Sequence, residues 1–116
     1  MPLTNETRGL IDARRLALIR DGACLINTAR GAIVDEDALV GELVSGRIDA
    51  GLDVFVHEPA VPPALLDLPN VVLTPHVGSA TAETREAMTR VLVDNLLAAA
   101  RGETPPNLVY PDTRAP

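Results

Sequence analysis

Three short apolar runs, separated by segments with helical periodicity, largely determine the fold of this chain. The runs span residues 23–27, 48–54 and 71–74, and each has the length and composition of a buried strand. Apolar spacing and capping residues predict helices at residues 11–19, 35–45 and 82–101. Strands that alternate with helices pair in parallel through crossover connections. The sequence therefore predicts an α/β fold: a three-stranded parallel sheet with flanking helices and a long C-terminal helix.

The ends of the predicted helices carry recognisable signals. Asp12 and Thr81 stand where N-caps are expected, and Gly46 and Gly102 follow the last helical residues. Between the second and third strands, prolines occur four times, at positions 59, 62, 63 and 69. Because this spacing of prolines excludes regular structure, we expect an irregular loop there.

Size and composition narrow the function classes. The chain has 116 residues, enough for one core, and a formal net charge of −6 with 2% aromatic residues. It has no basic stripe and no apolar run of about 20 residues, so we expect neither nucleic-acid binding nor a membrane span. The single cysteine, Cys24, excludes an internal disulfide and a cysteine-rich metal site. We expect Cys24 to be buried, the location to be cytoplasmic, and no metal to be bound.

Three side chains with useful chemistry stand just beyond the three predicted strands. They are Arg30, Glu58 and His76. Ligands of parallel sheets bind at the carboxyl ends of the strands, so one crevice can hold all three. A fixed cation, a carboxylate and an imidazole are the groups needed to reduce a 2-oxo acid. Taken singly, each is also typical of an ordinary surface loop.

The glycines argue that the nucleotide fold is incomplete. No two of them are separated by a single residue, so the chain contains no Gly-x-Gly-x-x-Gly phosphate loop. A complete Rossmann fold has two halves, of which the first carries that loop. We expect residues 1–102 to form the second half alone, a partial NAD(P)-binding domain, and residues 103–116 to be a tail.

Three motifs give the chain a family resemblance. They are Asn-Thr-Ala-Arg-Gly at residues 27–31, Leu-Asp-Val-Phe-x-x-Glu-Pro at 52–59 and Thr-Pro-His at 74–76. In this order and spacing they resemble the D-isomer-specific 2-hydroxyacid dehydrogenases, and the match covers nearly the whole chain. The resemblance implies that the tail, residues 103–116, would return to a substrate-binding domain. The segments 74–81 and 101–109 look like those of the glyoxylate/hydroxypyruvate reductases within that family. A phosphoglycerate dehydrogenase-like fragment is the alternative.

The resemblance implies a role for each of the three side chains. Arg30 would bind the substrate carboxylate through its planar guanidinium. His76 would act as the general acid and base. Glu58 would pair with His76 and fix its tautomer.

The resemblance also implies NAD or NADP as the cofactor. Asp53 would lie near the nicotinamide carboxamide, and Arg30 and His76 would border the ring. Backbone groups are expected to contact the cofactor at Thr28, Ala29, Val77, Gly78 and Ser79. The substrate would be a small 2-oxo or 2-hydroxy acid.

The expected function is that of a C-terminal fragment of such a dehydrogenase, with little activity alone. Members of the family are expected to be homodimers, and this chain would otherwise pair with a missing N-terminal half. A non-catalytic interaction module, or a subunit of a split enzyme, is a different reading, because a half-sheet leaves an edge and an apolar helix stripe uncovered. A corepressor-like role keeps the same triad but acts by protein binding.

Overall fold

The computed structural model describes residues 1–109, which divide into two compact units, the first from Met1 to Gly78 and the second from Ser79 onward. The first unit contains two helices and three strands, and the second contains one long helix. In chain order they are α1 (Ala13–Leu16), β1 (Cys24–Asn27), α2 (Glu36–Val44), β2 (Asp49–Leu52), β3 (Val71–Leu73) and α3 (Ala82–Ala100). Two 3₁₀ turns, Gly31–Ile33 and Pro63–Leu65, lie in the loops.

The three strands form a parallel sheet in the order β1-β2-β3, as the sequence predicts. Cys24 pairs with Asp49 at one end of the β1–β2 ladder, and Asn27 pairs with Leu52 at the other. Leu52 in turn pairs with Leu73 of β3. The carboxyl ends of all three strands therefore lie side by side at one edge of the sheet.

The core lies on one face of this sheet. Ala50 and Leu52 of β2 are buried there with α1, α2 and the second 3₁₀ turn, which contribute Leu16, Leu39, Leu43 and Leu65. Of the apolar side chains predicted on one face of α2, Leu39 and Leu43 are buried, whereas Val44 remains exposed.

The opposite face of the sheet is exposed. Ile26 of β1 and Val72 of β3 have 65% and 68% of their surface accessible. Cys24 lies on the same face and is exposed, so the prediction that it is buried was wrong. A strand residue is buried only where another element covers its face, and within the first unit, residues 1–78, nothing covers this face well enough to bury these side chains.

The first helix is much shorter than predicted. Asp12 caps it as expected, because its side chain accepts a hydrogen bond from the Arg15 N–H, but the helix makes only one turn. The guanidinium of Arg47 donates hydrogen bonds to the carbonyls of Leu16 and Ile19 and pairs with Glu42. These bonds occupy carbonyl oxygens that a longer helix would use for its own N–H groups.

The second helix, α2, agrees closely with the prediction, and Asp35 caps its start. Gly46 follows its end with φ +71°, a conformation that favours glycine.

The long helix α3 was predicted correctly, with Thr81 as its cap. The apolar stripe predicted along it is exposed at Met88, Leu92 and Leu96, each with about 60% of its surface accessible (63%, 58% and 60%). No helix among residues 1–109 is both long and apolar enough to cross a membrane. Part of the predicted tail, residues 110–116, lies outside the described residues.

Candidate active site at the carboxyl ends of the strands

The loop after β1 carries Arg30, and the side chain of Asn27 shapes that loop. Asn27 is buried, its Nδ2 donates to the carbonyl of Arg30 at 3.0 Å, and its Oδ1 accepts the Ala29 N–H at 3.1 Å. The guanidinium of Arg30 is exposed, and its Nη1 donates to the Ala29 carbonyl at 2.6 Å. Within residues 1–109 the guanidinium makes no other hydrogen bond, so Arg30 retains donors that can bind an anion.

The next residue, Gly31, permits the loops after β1 and β2 to touch. A Cβ on this buried glycine would overlap the backbone carbonyl of Phe55. The Val56 N–H beside it donates to Oε1 of Glu36 at 2.9 Å, which ties the β2 loop to the first turn of α2. The close approach explains why glycine follows Arg30.

Asp53 directly follows β2 and is only 4% exposed. Its Oδ1 accepts hydrogen bonds from the Thr74 hydroxyl at 2.5 Å and the Val77 N–H at 2.8 Å. Its Oδ2 accepts the Gly78 N–H at 2.8 Å. These bonds, with the Thr74 hydroxyl foremost, hold the pKa of the Asp53 carboxyl below its usual range.

The β3 loop brings His76 to Glu58. The Nδ1 of His76 lies 2.7 Å from Oε2 of Glu58, while Oε1 of Glu58 accepts the Phe55 N–H at 3.0 Å. This arrangement directs the other ring nitrogen, Nε2, away from the carboxylate. The hydrogen bond to His76 is the main cause of a lowered pKa at Glu58, and the positive charge of Arg30 lowers that pKa further. The three predicted side chains therefore share one electrostatic environment.

A cavity of about 280 Å³ adjoins this pair. Its polar lining comes from Glu58, Thr74 and His76. The remaining lining residues are apolar and include Phe55 and Leu73. Apolar walls reduce the screening of charges beside them. The cavity therefore strengthens the interaction between the carboxylate and the imidazole without burying either group.

The predicted cofactor residues divide into those already bonded within the chain and those still free to bind. The N–H groups of Ala29, Val77 and Gly78 all bond to Asn27 or Asp53, so they are not free donors. The Thr28 hydroxyl is exposed and makes no hydrogen bond within residues 1–109. Ser79 is also exposed and belongs to the second unit.

Oδ2 of Asp53 accepts a single hydrogen bond from residues 1–109, and a carboxylate oxygen can accept more than one. A hydroxyl and a spare acceptor fit the carboxamide of a nicotinamide. The chain offers no glycine-rich loop for the pyrophosphate. The contacts of these residues with a cofactor remain predictions.

Two residues of this site were not predicted from the sequence. Asn27 and Glu36 each bind the backbone of a site loop through the side chain. A polar residue that ends an apolar strand was a usable signal for Asn27, whereas nothing near Glu36 in the sequence indicates its contact with Val56. Within residues 1–109, no cluster of three or more His, Cys, Asp or Glu side chains is arranged to hold a metal ion.

Residues 1–78 match the model of the D-isomer specific 2-hydroxyacid dehydrogenase NAD binding domain. The chain is similar to glyoxylate/hydroxypyruvate reductase B of Pectobacterium carotovorum, with 58% identity over 113 residues, 96% of this chain and 35% of the relative. It is also 52% identical to the glyoxylate reductase of Thermococcus litoralis over 97% of this chain and 34% of the relative. The chain thus spans about a third of the length of these curated relatives.

Solved structures agree with this comparison. The NADPH-dependent glyoxylate/hydroxypyruvate reductase of Sinorhizobium meliloti, crystallised with NADP and malonate, superposes with a TM-score of 0.80 at 50% identity. That alignment covers 84% of this chain and 31% of the solved chain. A Thermus thermophilus protein gives a TM-score of 0.86 at 51% identity, over 95% of this chain and 36% of the solved one. The chain belongs to the D-isomer-specific 2-hydroxyacid dehydrogenase family, and its first 78 residues correspond to part of that family's NAD-binding domain.

Proposed function

We propose that this chain supplies the catalytic half-site of an NAD(P)-dependent reductase that converts a small 2-oxo acid into a D-2-hydroxy acid. The pairing of His76 with Glu58 at 2.7 Å, beside the charge of Arg30, is the observation that carries the proposal. Similarity to glyoxylate and glyoxylate/hydroxypyruvate reductases makes glyoxylate and hydroxypyruvate the first substrates to test.

Arg30 binds the carboxylate of the 2-oxo acid. Its guanidinium presents parallel N–H donors that match the two oxygens of a carboxylate, and its charge polarises the adjacent carbonyl. The backbone around Arg30 is fixed by Asn27, so the carboxylate is bound against a defined loop.

His76 holds the proton that the carbonyl oxygen of the substrate takes up during reduction. Glu58 accepts a hydrogen bond from Nδ1, so Nε2 is the nitrogen that faces the reacting oxygen. In the reverse direction the same nitrogen accepts the hydroxyl proton. NAD(P)H, when bound, supplies the hydride.

Activity in this proposal requires protein surface beyond residues 1–109. Binding the pyrophosphate and enclosing the substrate need groups that this sequence does not contain. We expect the 116-residue chain alone to turn over little glyoxylate. A missing N-terminal half, on the same or a separate chain, or a second subunit would complete the crevice.

A chimera gives the sharpest test. Residues 1–109 replace the equivalent segment of the 58% identical reductase from Pectobacterium carotovorum, and reduction of glyoxylate and hydroxypyruvate is followed through NAD(P)H absorbance. We expect activity with both acids, and a loss of turnover of roughly 10²–10⁴-fold in the His76→Gln form with little change in cofactor binding. A folded chimera that binds NADP but reduces neither acid would contradict the proposal.

A second candidate function is that of an interaction module, and the exposed sheet face favours it. Ile26 and Val72 leave an apolar surface where a partner could pack. Here the chain acts by association, and Arg30, Glu58 and His76 do no chemistry. Full activity of the chimera combined with a strictly monomeric isolated chain would exclude this candidate.

A further inference from the structure

Two polar side chains are buried within residues 1–109, and both lie at the carboxyl ends of strands. Asn27 is 8% exposed and ends β1, and Asp53 is 4% exposed and follows β2. Burying a polar group costs free energy unless its hydrogen bonds are made. The partners that satisfy these two groups therefore indicate why the polar residues are tolerated.

Within residues 1–109, the side chain of Asn27 bonds only to the loop that presents Arg30. Its amide group donates to the carbonyl of Arg30 and accepts from the N–H of Ala29, so it bridges two successive residues. Arg30 has an extended backbone, with φ −150° and ψ 138°, between β1 and the following 3₁₀ turn. The Asn27 side chain holds the backbone of Arg30 in this conformation.

Asp53 performs the corresponding task for His76. Its carboxylate accepts bonds from Thr74 on one side of the histidine and from Val77 and Gly78 on the other. His76 itself has φ +53°, in the left-handed region that residues other than glycine rarely adopt. Charge-assisted hydrogen bonds on both sides offset the cost of that conformation.

The two buried residues are also joined to each other. The backbone N–H of Asp53 donates to the carbonyl of Asn27 at 3.0 Å. The bond continues the β1–β2 ladder by one step beyond the paired strand residues. This backbone hydrogen bond therefore connects the residue that holds the Arg30 loop to the residue that holds the His76 loop.

We propose that Asn27 and Asp53 are positioning residues, Asn27 for Arg30 and Asp53 for His76. The inference rests on the proposed function for the importance of Arg30 and His76. It assigns to Asp53 a task besides its expected contact with the nicotinamide carboxamide. Neither residue needs to touch the substrate to act in this way.

Reciprocal substitutions that change one atom type test the proposal on the 116-residue chain. In Asn27→Asp, the acceptor for Ala29 is kept but the donor to the Arg30 carbonyl becomes a repelling oxygen. In Asp53→Asn, one oxygen becomes an NH₂ group and can no longer accept its bonds. Asn70→Asp is the matched control, because Asn70 donates to the carbonyls of Leu43 and Ile48, neither of which belongs to the site.

The measurements are nuclear magnetic resonance signals of the two loops. In Asp53→Asn, one of the Val77 and Gly78 N–H groups faces the new NH₂ group and loses its acceptor, while the other keeps a bond to a neutral oxygen; we expect amide hydrogen exchange to rise about tenfold at the first and less at the second. The ring ¹⁵N signals of His76 should shift as the ring loses its fixed contact with Glu58. In Asn27→Asp the carbonyl ¹³C signal of Arg30 should shift, with exchange at Val77 and Gly78 changed less than twofold.

The proposal is tested by which of the two loops each substitution disturbs. The free energy of unfolding is measured for every variant, so that a local change in a loop is distinguished from a general loss of stability. The proposal is overturned if Asn27→Asp or Asn70→Asp disturbs the His76 loop as strongly as Asp53→Asn does, or if the loop signals do not change. These readouts do not depend on turnover, so an inactive chimera refutes the proposed function alone. In an active chimera, Asn27→Asp should mainly raise KM for glyoxylate and Asp53→Asn should mainly lower kcat.

Discussion

Glu58 connects His76 to the backbone of Phe55: one of its carboxylate oxygens pairs with the imidazole and the other accepts a backbone N–H. A carboxylate bonded at both oxygens is oriented as well as charged. The imidazole it pairs with therefore has one nitrogen committed to the protein and one available. This relationship sets the expected effects of pH and of substitution at Glu58.

We expect the stabilisation that Glu58 provides to disappear in acid. Its folded pKa is lowered, first by the His76 hydrogen bond, so its contribution is complete above the unfolded value of about 4.3. It is lost as the pH falls through the lower folded value. Urea unfolding of the wild type and Glu58→Gln from pH 6 to pH 3 should show a stability difference that shrinks with acidity.

Glu86→Gln is the control for this titration. Glu86 forms an exposed pair with Arg90 on α3, and such pairs contribute little to stability. The difference in the free energy of unfolding between Glu86→Gln and the wild type should stay small from pH 6 to pH 3. A constant difference for Glu58→Gln over the same range would contradict the expected role of its charge.

In the active chimera, Arg30→Lys should weaken binding of the substrate carboxylate more than it slows the chemical step. Lysine keeps the charge but cannot present two parallel donors to a carboxylate. We expect KM for glyoxylate to rise roughly 10- to 100-fold, in line with the loss of one charge-assisted hydrogen bond. Steady-state kinetics measure this, and an unchanged KM would show that the carboxylate binds elsewhere. Arg85→Lys on α3 is a surface control.

Two glycine substitutions are expected to change the free energy of unfolding in opposite directions. In Gly31→Ala the added Cβ would overlap the Phe55 backbone, so the loops after β1 and β2 must separate, at a cost on the order of 3 kcal/mol. In Gly41→Ala the Cβ meets nothing within 4 Å in the interior of α2, so stability should rise by about 1 kcal/mol. Denaturant unfolding compares them, and a neutral Gly31→Ala would refute the close approach.

The exposed sheet face should govern self-association. Ile26 and Val72 lie on the face opposite the core and are largely exposed. We expect the isolated chain to associate at high concentration, and Ile26→Lys with Val72→Lys to reduce the associated fraction about tenfold or more. Light scattering measures this. If the paired substitution leaves the associated fraction unchanged, association uses another surface. Asp67→Lys, in the loop before β3, adds the same two positive charges away from the strands and is the control.

The sequence predicts most of the strands and helices well because the signals for each element lie within or next to that element. The predicted caps Asp12 and Thr81 both accept the expected backbone bonds, and each apolar run forms a strand of the predicted parallel sheet. The predicted strands were one to three residues too long, since ladder pairing ends before the apolar composition does.

The errors come from contacts between distant parts of the chain. The first helix stops early because Arg47, some 30 positions later, binds its last carbonyls. Cys24 is exposed because burial of a strand depends on what covers its face, which strand composition does not reveal. Glu36 was missed for the same reason, because its partner, the Val56 N–H, lies 20 positions away along the chain. Asn27 is different: its partners Ala29 and Arg30 are close in sequence, and the polar residue at the end of an apolar strand was a local signal that was overlooked.

The order β1-β2-β3 sets the spacing between the strands that lead to Arg30 and His76. Neighbouring strands are about 4.8 Å apart, so the strands leading to Arg30 and His76 are separated by about 9.6 Å, with β2 between them. The hydrogen bonds between the strands fix this separation, so substitutions of side chains within the strands do not change it. Under the proposed function, substitutions in the loops would change which acid is accepted, while the separation of the strands that lead to Arg30 and His76 stays set by the backbone.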